Sequence, residues 1–186
     1  MNVHPAPPTD PDAFLRWNEG REGKRELVNG QVIEYMINVT RGHVRVVTRL
    51  LYELTSKLDP LRFEAYAVDI GLKTPNGVRY PDLVVDKAGG ASSDLAVREP
   101  VLVCEVLSPS SMVRDTVEKQ GEYTSITSVQ AYLILSQDEP RVRLWSRTPD
   151  GWSGPAMIQG IAARLEISAL DFEVSLASLY PFAEQQ

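Results

Sequence analysis

Cysteine is nearly missing from this 186-residue chain: the single Cys104 stands inside an apolar run, so neither an internal disulfide nor a paired-cysteine metal site can form. With only two histidines to activate it, Cys104 reads as a small core residue rather than a nucleophile. No apolar run approaches the roughly 20 residues that cross a bilayer. The first twelve residues lack the basic and apolar regions of a signal peptide. The expected location is therefore the cytoplasm, with no membrane partner. A basic surplus is missing too. The net charge is −6 and the pI is near 5.0, which counts weakly against nucleic acid as a partner while still allowing local basic patches. There is no phosphate-binding glycine loop, Ser-His-Asp arrangement, internal repeat or low-complexity stretch, and no organic cofactor is expected.

What is present suits one globular unit. The composition is 43% hydrophobic and 24% charged, and a chain of this length buries roughly two-thirds of its surface on folding. Residues 1–12, with four prolines, are expected to form a flexible lead-in, and residues 13–186 a single domain. Phe14, Leu15 and Trp17 suggest a short helix, and Asn29-Gly30 a tight hairpin within residues 26–37. Thr40 is a candidate N-cap for a helix over about 42–58. Its apolar face is expected at Val44, Val47, Leu51, Leu54 and Leu58. Strands are expected over about 63–73, about 78–86 and 101–107, then a helix over about 111–126 capped from Ser108-Pro109-Ser110. Further strands at 131–136 and 141–147 and a closing amphipathic segment complete a mixed α/β sheet with helices on its faces.

Two acids contradict their surroundings. Glu105 sits at the centre of VLVCEVL, which reads as an inner strand, where a lone buried carboxylate costs several kcal/mol. Asp82 opens a second apolar strand, Leu83-Val84-Val85. If these strands are neighbours, ~4.8 Å apart, the carboxylates repel unless a proton or cation lies between them. A hard divalent cation such as Mg²⁺ suits that donor set. On the following helix Asp115, Lys119 and Tyr123 are spaced i, i+4, i+8, within an arc of about 80°. This face either looks onto the carboxylates, where the ammonium can orient water and stabilise charge, or carries an ordinary helical ion pair. Trp145 and Trp152 read as packing residues around a hairpin, and the direction of Asp69 is left open.

Pro81-Asp82, then about twenty residues, then Glu105-Val106-Leu107 resembles the PD-(D/E)XK motif of restriction-endonuclease-like nucleases. More narrowly, RYPDLVV, PVLVCEVLSPSS, Asp115, Lys119, Tyr123 and AYLIL, preceded by RELVNGQVIEYM and His43, are similar to the Uma-type restriction endonucleases over roughly residues 14–180. The resemblance implies a restriction-endonuclease-like fold: a mixed sheet flanked by helices, with an N-terminal hairpin and C-terminal antiparallel strands. It implies metal-dependent hydrolysis of phosphodiester bonds, in DNA, with Mg²⁺ or Mn²⁺ held by Asp82, Glu105 and the Val106 backbone carbonyl. Lys119 is then the catalytic lysine, with Asp115 and Tyr123 in support. The general motif puts its lysine where this chain has Leu107, and in the Uma-type branch the lysine has moved to the next helix. By the same resemblance Glu26 adds an acid to the site, or else is a solvated hairpin residue. His43 contacts the site or a phosphate, or else caps its helix. Arg41, Arg45 and Arg49 form a stripe that either meets phosphates or is a solvated face. A homodimer is expected. The alternative to an enzyme is a nuclease-fold module that has lost activity and serves as a nucleic-acid-binding or regulatory unit.

Overall fold

The structure is a computed structural model that describes residues 7–35, 39–67, 69–107 and 115–182, without the side chains of residues 115–117. The first helix, α1 (Pro11–Asn18), begins inside the expected lead-in. Asp10 accepts a hydrogen bond from the Ala13 N–H at 3.0 Å, and Pro11 fills a first-turn position where a missing N–H costs nothing. Strands β1 (Lys24–Val28) and β2 (Gln31–Tyr35) form the expected hairpin. Its turn needs two left-handed residues, and Asn29 (φ 49°) and Gly30 (φ 75°) supply them. Thr40 caps α2 (Arg41–Lys57), its hydroxyl accepting from the His43 N–H at 3.1 Å.

The next two expected strands are four. The chain forms β3 (Phe63–Ala67), β4 (Leu72–Thr74), β5 (Gly77–Arg79) and β6 (Leu83–Lys87) before β7 (Pro100–Leu107). Asp69, in the left-handed region (φ 63°), separates β3 from β4. Tyr80-Pro81 separates β5 from β6, since proline has no N–H for the ladder. The rest is α3 (Asp115–Ser125), β8 (Ala131–Ser136), β9 (Arg141–Thr148), β10 (Gly151–Gln159), β11 (Arg164–Ile167), β12 (Phe172–Ser175) and α4 (Leu176–Leu179). The Ser108-Pro109-Ser110 junction and Met112 lie outside the described residues.

A six-stranded sheet runs β10-β9-β8-β7-β6-β3. Its β7–β8 pair alone is parallel, joined through the α3 crossover; the other pairs are antiparallel. A second, four-stranded antiparallel sheet runs β2-β1-β5-β4, and β11 and β12 form a separate ribbon. The fold is therefore a mixed α/β sheet flanked by helices. One face of the large sheet packs against α2, α4 and the β11–β12 ribbon. The other packs against α3 through Tyr123, Tyr132 and Trp145, whose rings meet at 5.4 and 5.3 Å. Trp152 joins this cluster and donates its indole N–H to the Thr124 carbonyl at 2.9 Å. Phe14 and Leu15 of α1 close a third core over Leu27 and Val78.

The apolar face of α2 is rotated from its expected position. Val46, Val47, Leu50 and Leu54 are buried, whereas Val44 is 48% exposed and Leu51 half-buried. Spacings of three and four fit two overlapping stripes on a helix this apolar, and the sheet takes the one centred on Leu50.

Candidate active site

Strand pairing sets the geometry. Leu83 faces Cys104 across the β6–β7 ladder, so one step further Asp82 stands opposite Glu105, with Cβ atoms about 5 Å apart if the ladder continues regularly. Asp82 is held there by the Val106 N–H, which donates to its Oδ2 at 2.8 Å. Glu105 is only 3% exposed. Its Oε1 accepts from the Lys119 ammonium at 3.0 Å and from the Tyr123 hydroxyl at 2.8 Å. The i, i+4 face of α3 that carries Lys119 and Tyr123 therefore looks onto the strand acid.

The electrostatics follow from this crowding. Burial pushes the Glu105 carboxyl above its ordinary range; Lys119 pulls it down, and the Asp82 charge pushes it up again. Burial alone would lower Lys119, but the Glu105, Glu26 and Asp82 charges raise it above the ordinary lysine value. Lys119 is thus an ammonium at neutral pH. Asp82 is disfavoured by burial, yet His43 and the Val106 N–H hold it below the usual carboxylate range. His43 stands with Nε2 3.3 Å from Asp82 Oδ1 and is raised chiefly by that bond, with burial opposing and a bond to the Val106 backbone assisting.

Glu26 is not a solvated hairpin residue: it is 1% exposed and bonded to Arg79, and its charge acts on Lys119. Arg79 donates from Nη1 to Glu26 Oε2 at 3.0 Å. From Nε and Nη2 it grips Glu122 at 2.8 and 2.5 Å, and Thr74 donates to the same carboxylate at 3.2 Å. Arg79 is 3% and Glu122 7% exposed. Because Glu122 lies between Lys119 and Tyr123 on α3, this ion triad ties the helix to the β1–β5 strands and fixes its rotation about the axis. Both partners carried a signal. Arg79 immediately precedes Tyr80-Pro81-Asp82, and Glu122 lies only about 20° from Asp115 around the helix. Lys24, a strand cation with no helical or strand spacing to mark it, also bears electrostatically on Asp82, Glu105 and His43. Lys24 and Tyr35 face one another across the hairpin on the side that carries Glu26.

A cleft of about 780 Å³ opens beside Asp82 and His43, and Lys24, Asp69 and Tyr80 are among its lining residues. Arg41, Arg45 and Arg49 are exposed but do not line it. At ~100° per residue their stripe is turned about 130° from the cleft-facing side of α2, and Arg45 lies over the Phe182 ring at 5.1 Å. Asp115 begins α3 as described, with its side chain outside the described set.

With the Val106 carbonyl, the Asp82 and Glu105 carboxylates would offer an all-oxygen donor set of the kind that suits Mg²⁺ or Mn²⁺. The mutual repulsion of the two acids is what a cation would relieve. Among the described residues no three of His, Cys, Asp or Glu gather as a metal cluster, so such an ion would have two carboxylates and fill its shell with water and backbone. The residues fit a hydrated hard cation and not a dedicated protein cage.

Known proteins resemble the chain along nearly its whole length. It is 28% identical over 183 residues to the uncharacterized protein slr1290 of Synechocystis, covering 95% of this chain and 93% of that one. It is 27% identical over 160 residues to sll1609 of the same organism, covering 83% and 90%. The crystal structure of "a putative nuclease belonging to DUF820" from Anabaena variabilis superposes with a TM-score of 0.70 at 16% identity, covering 92% of this chain and 97% of that one, which shows a shared fold. The sequence profile of the Uma2 family, described as "Putative restriction endonuclease", matches residues 11–177. That span takes in the strand acids, the helix lysine and the hairpin that supports them: the chain belongs to the Uma2 family of restriction-endonuclease-like proteins.

Proposed function

We propose that the protein is a metal-dependent endonuclease that hydrolyses phosphodiester bonds in DNA. The observation that carries this reading is the convergence of Lys119 and Tyr123 on Glu105, opposite Asp82. Family membership supports nuclease-type chemistry. Asp82, Glu105 and the Val106 carbonyl would hold Mg²⁺ or Mn²⁺. When bound, such an ion polarises a phosphodiester and makes bound water more acidic.

The chain's own groups do the rest. Lys119 is a protonated donor in this setting, so its part is to orient the attacking water or a phosphate oxygen and to offset developing negative charge, rather than to remove a proton. Tyr123 keeps Glu105 from turning away, and the Arg79 triad holds α3 so that both contacts persist. His43 and Lys24 sit at the cleft end nearest Asp82, where a backbone phosphate would arrive.

A second reading, a nucleic-acid-binding module without activity, draws on one observation. Each strand acid already has a protein nitrogen donor beside it, Lys119 on Glu105 and His43 on Asp82. Purified protein incubated with plasmid and single-stranded DNA in Mg²⁺ or Mn²⁺ separates the two. Cutting is expected in wild type and reduced by about 10²-fold or more in Glu105→Ala and Lys119→Ala. Cutting that survives Glu105→Ala removes the site assignment, and binding without cutting favours the module.

A further inference from the structure

The cleft beside Asp82 is larger and more apolar than phosphodiester chemistry requires. Val44, Val47 and Leu51 of α2 line it, joined by Leu15, Ile70 and Leu95. Val44 is left off the buried stripe of α2 and is 48% exposed, while Leu51 packs only partly against the core. The volume of about 780 Å³ lies within the range of small-molecule sites.

Two polar groups stand together on this lining. The Asn18 amide donates to the Tyr80 hydroxyl oxygen at 3.2 Å, which leaves the Tyr80 proton available to another acceptor. Burial, the leading influence, pushes the Tyr80 phenol up and keeps it protonated. Asn18 Oδ1 is buried and has no hydrogen-bond partner among the described residues. An acceptor beside a donor is the complement of a base edge, where donors and acceptors stand side by side.

Charge divides the lining. Lys24 and Arg21 line it together with His43 and one acid, Glu19, and Arg21 is fixed by its bond to the Trp17 carbonyl at 2.6 Å and by the Trp17 ring at 4.2 Å. Asp69 and Asp94 line it beside Ile70 and Leu95, where they would repel a phosphate.

Resting on the nucleic-acid reading above, we propose that this cleft receives one unstacked nucleobase of the strand whose backbone lies across Asp82 and His43. The sugar-phosphate stays at the cationic rim with Lys24 and Arg21. The base enters between the α2 side chains and the Asn18–Tyr80 pair. The protein would therefore act on single strands, or draw a base out of the stack before cutting.

Fluorescence anisotropy tests this with calcium replacing magnesium, comparing an end-labelled single-stranded oligodeoxynucleotide with a strand of equal length made of abasic units. Wild type is expected to bind the base-bearing strand about tenfold more tightly, within the range of base-contact energies at single-strand sites. Val44→Trp, at a half-exposed position, places an indole in the part of the cleft between α2 and the Asn18–Tyr80 pair where the base would lie. It should bring base-bearing binding down to the abasic level while leaving abasic binding within about twofold. Tyr80→Phe, which removes the donor alone, should narrow the difference to about threefold, and thermal melts check that both variants fold. Equal binding of the two strands by wild type overturns the base pocket and leaves the nuclease reading standing. So does a preference that survives Val44→Trp. Failure to bind either strand overturns the base pocket, and the plasmid assay above then decides the nuclease reading separately.

Discussion

Replacing Arg79 by methionine isolates the energetics of the support beneath the site. The guanidinium makes three hydrogen bonds to Glu26 and Glu122, all three residues being at least 93% buried. Burial opposes its charge, and the bonds to Glu122 and Glu26 more than restore it. Methionine fills similar space but leaves two carboxylates without their cation. Breaking a buried pair this way costs about 3–5 kcal/mol. Protonation sets a ceiling: neutralising a carboxyl of ordinary pKa near 4.5 at pH 7 costs roughly 3.4 kcal/mol at 1.36 kcal/mol per pH unit, or about 7 kcal/mol for the two left behind, so the loss stays at about 3–5 kcal/mol. For a chain of this size that is a fall of roughly 6–20 °C in melting temperature, at about 2–4 °C per kcal/mol. The deficit should shrink below pH 4.5, where the abandoned acids accept protons at little cost. The combined Glu26→Leu, Arg79→Met, Glu122→Leu variant should recover most of the loss, because no buried charge then remains. Thermal and urea unfolding at pH 7 and pH 4 read all of this. A loss under about 1 kcal/mol for Arg79→Met, the level of an exposed ion pair, refutes the claim that the triad carries structural weight.

Other predictions follow from neighbouring contacts. Burial opposes ionisation of Glu122, but its Arg79 bonds hold it below the ordinary 4.5. It therefore stabilises the fold above pH 4.5, and this contribution is lost as pH falls through the lowered folded value. Urea unfolding between pH 3 and 6 should show a shallower acid limb for Glu122→Gln, and parallel limbs contradict the sign. Tyr123→Phe removes one of the two donors on the Glu105 Oε1 and should cost about 1.5–3 kcal/mol by chemical denaturation. Gly77→Ala would put its Cβ 2.0 Å from the Leu27 carbonyl oxygen at a φ of 149°. The β1–β5 pairing should give way, seen as loss of amide-exchange protection at Leu27 and Val78.

The fold class was legible because β7 and β8 are long apolar runs and the Asn29-Gly30 turn has strong local chemistry. Strand boundaries were less so. The breaks at Asp69 and Tyr80-Pro81 move the chain between two sheets, a decision made by tertiary pairing within continuous β-rich sequence. The α2 face was misplaced by part of a turn because Val44 and Leu51 are as apolar as the residues that pack. In the site, Glu105 announced itself by being a charge in an apolar strand, and Lys119 and Tyr123 by helical spacing. Arg79 did so only by its place before Tyr80-Pro81-Asp82, since a cation at a strand end reads as solvated until its two carboxylate partners, 53 and 43 residues away, come into place. Glu26 stayed ambiguous for the same reason. The arginine stripe on α2 is equally regular, and its residues stand away from the cleft beside Asp82.

The central claim is that Asp82 and Glu105 form a divalent-metal site. The most direct measurement is the anomalous difference density of crystals grown with Mn²⁺, for wild type and Glu105→Ala. The account predicts one strong peak between the two carboxylates beside the Val106 backbone in wild type and none there in the variant. No peak at that position, or a peak that persists in Glu105→Ala, contradicts it.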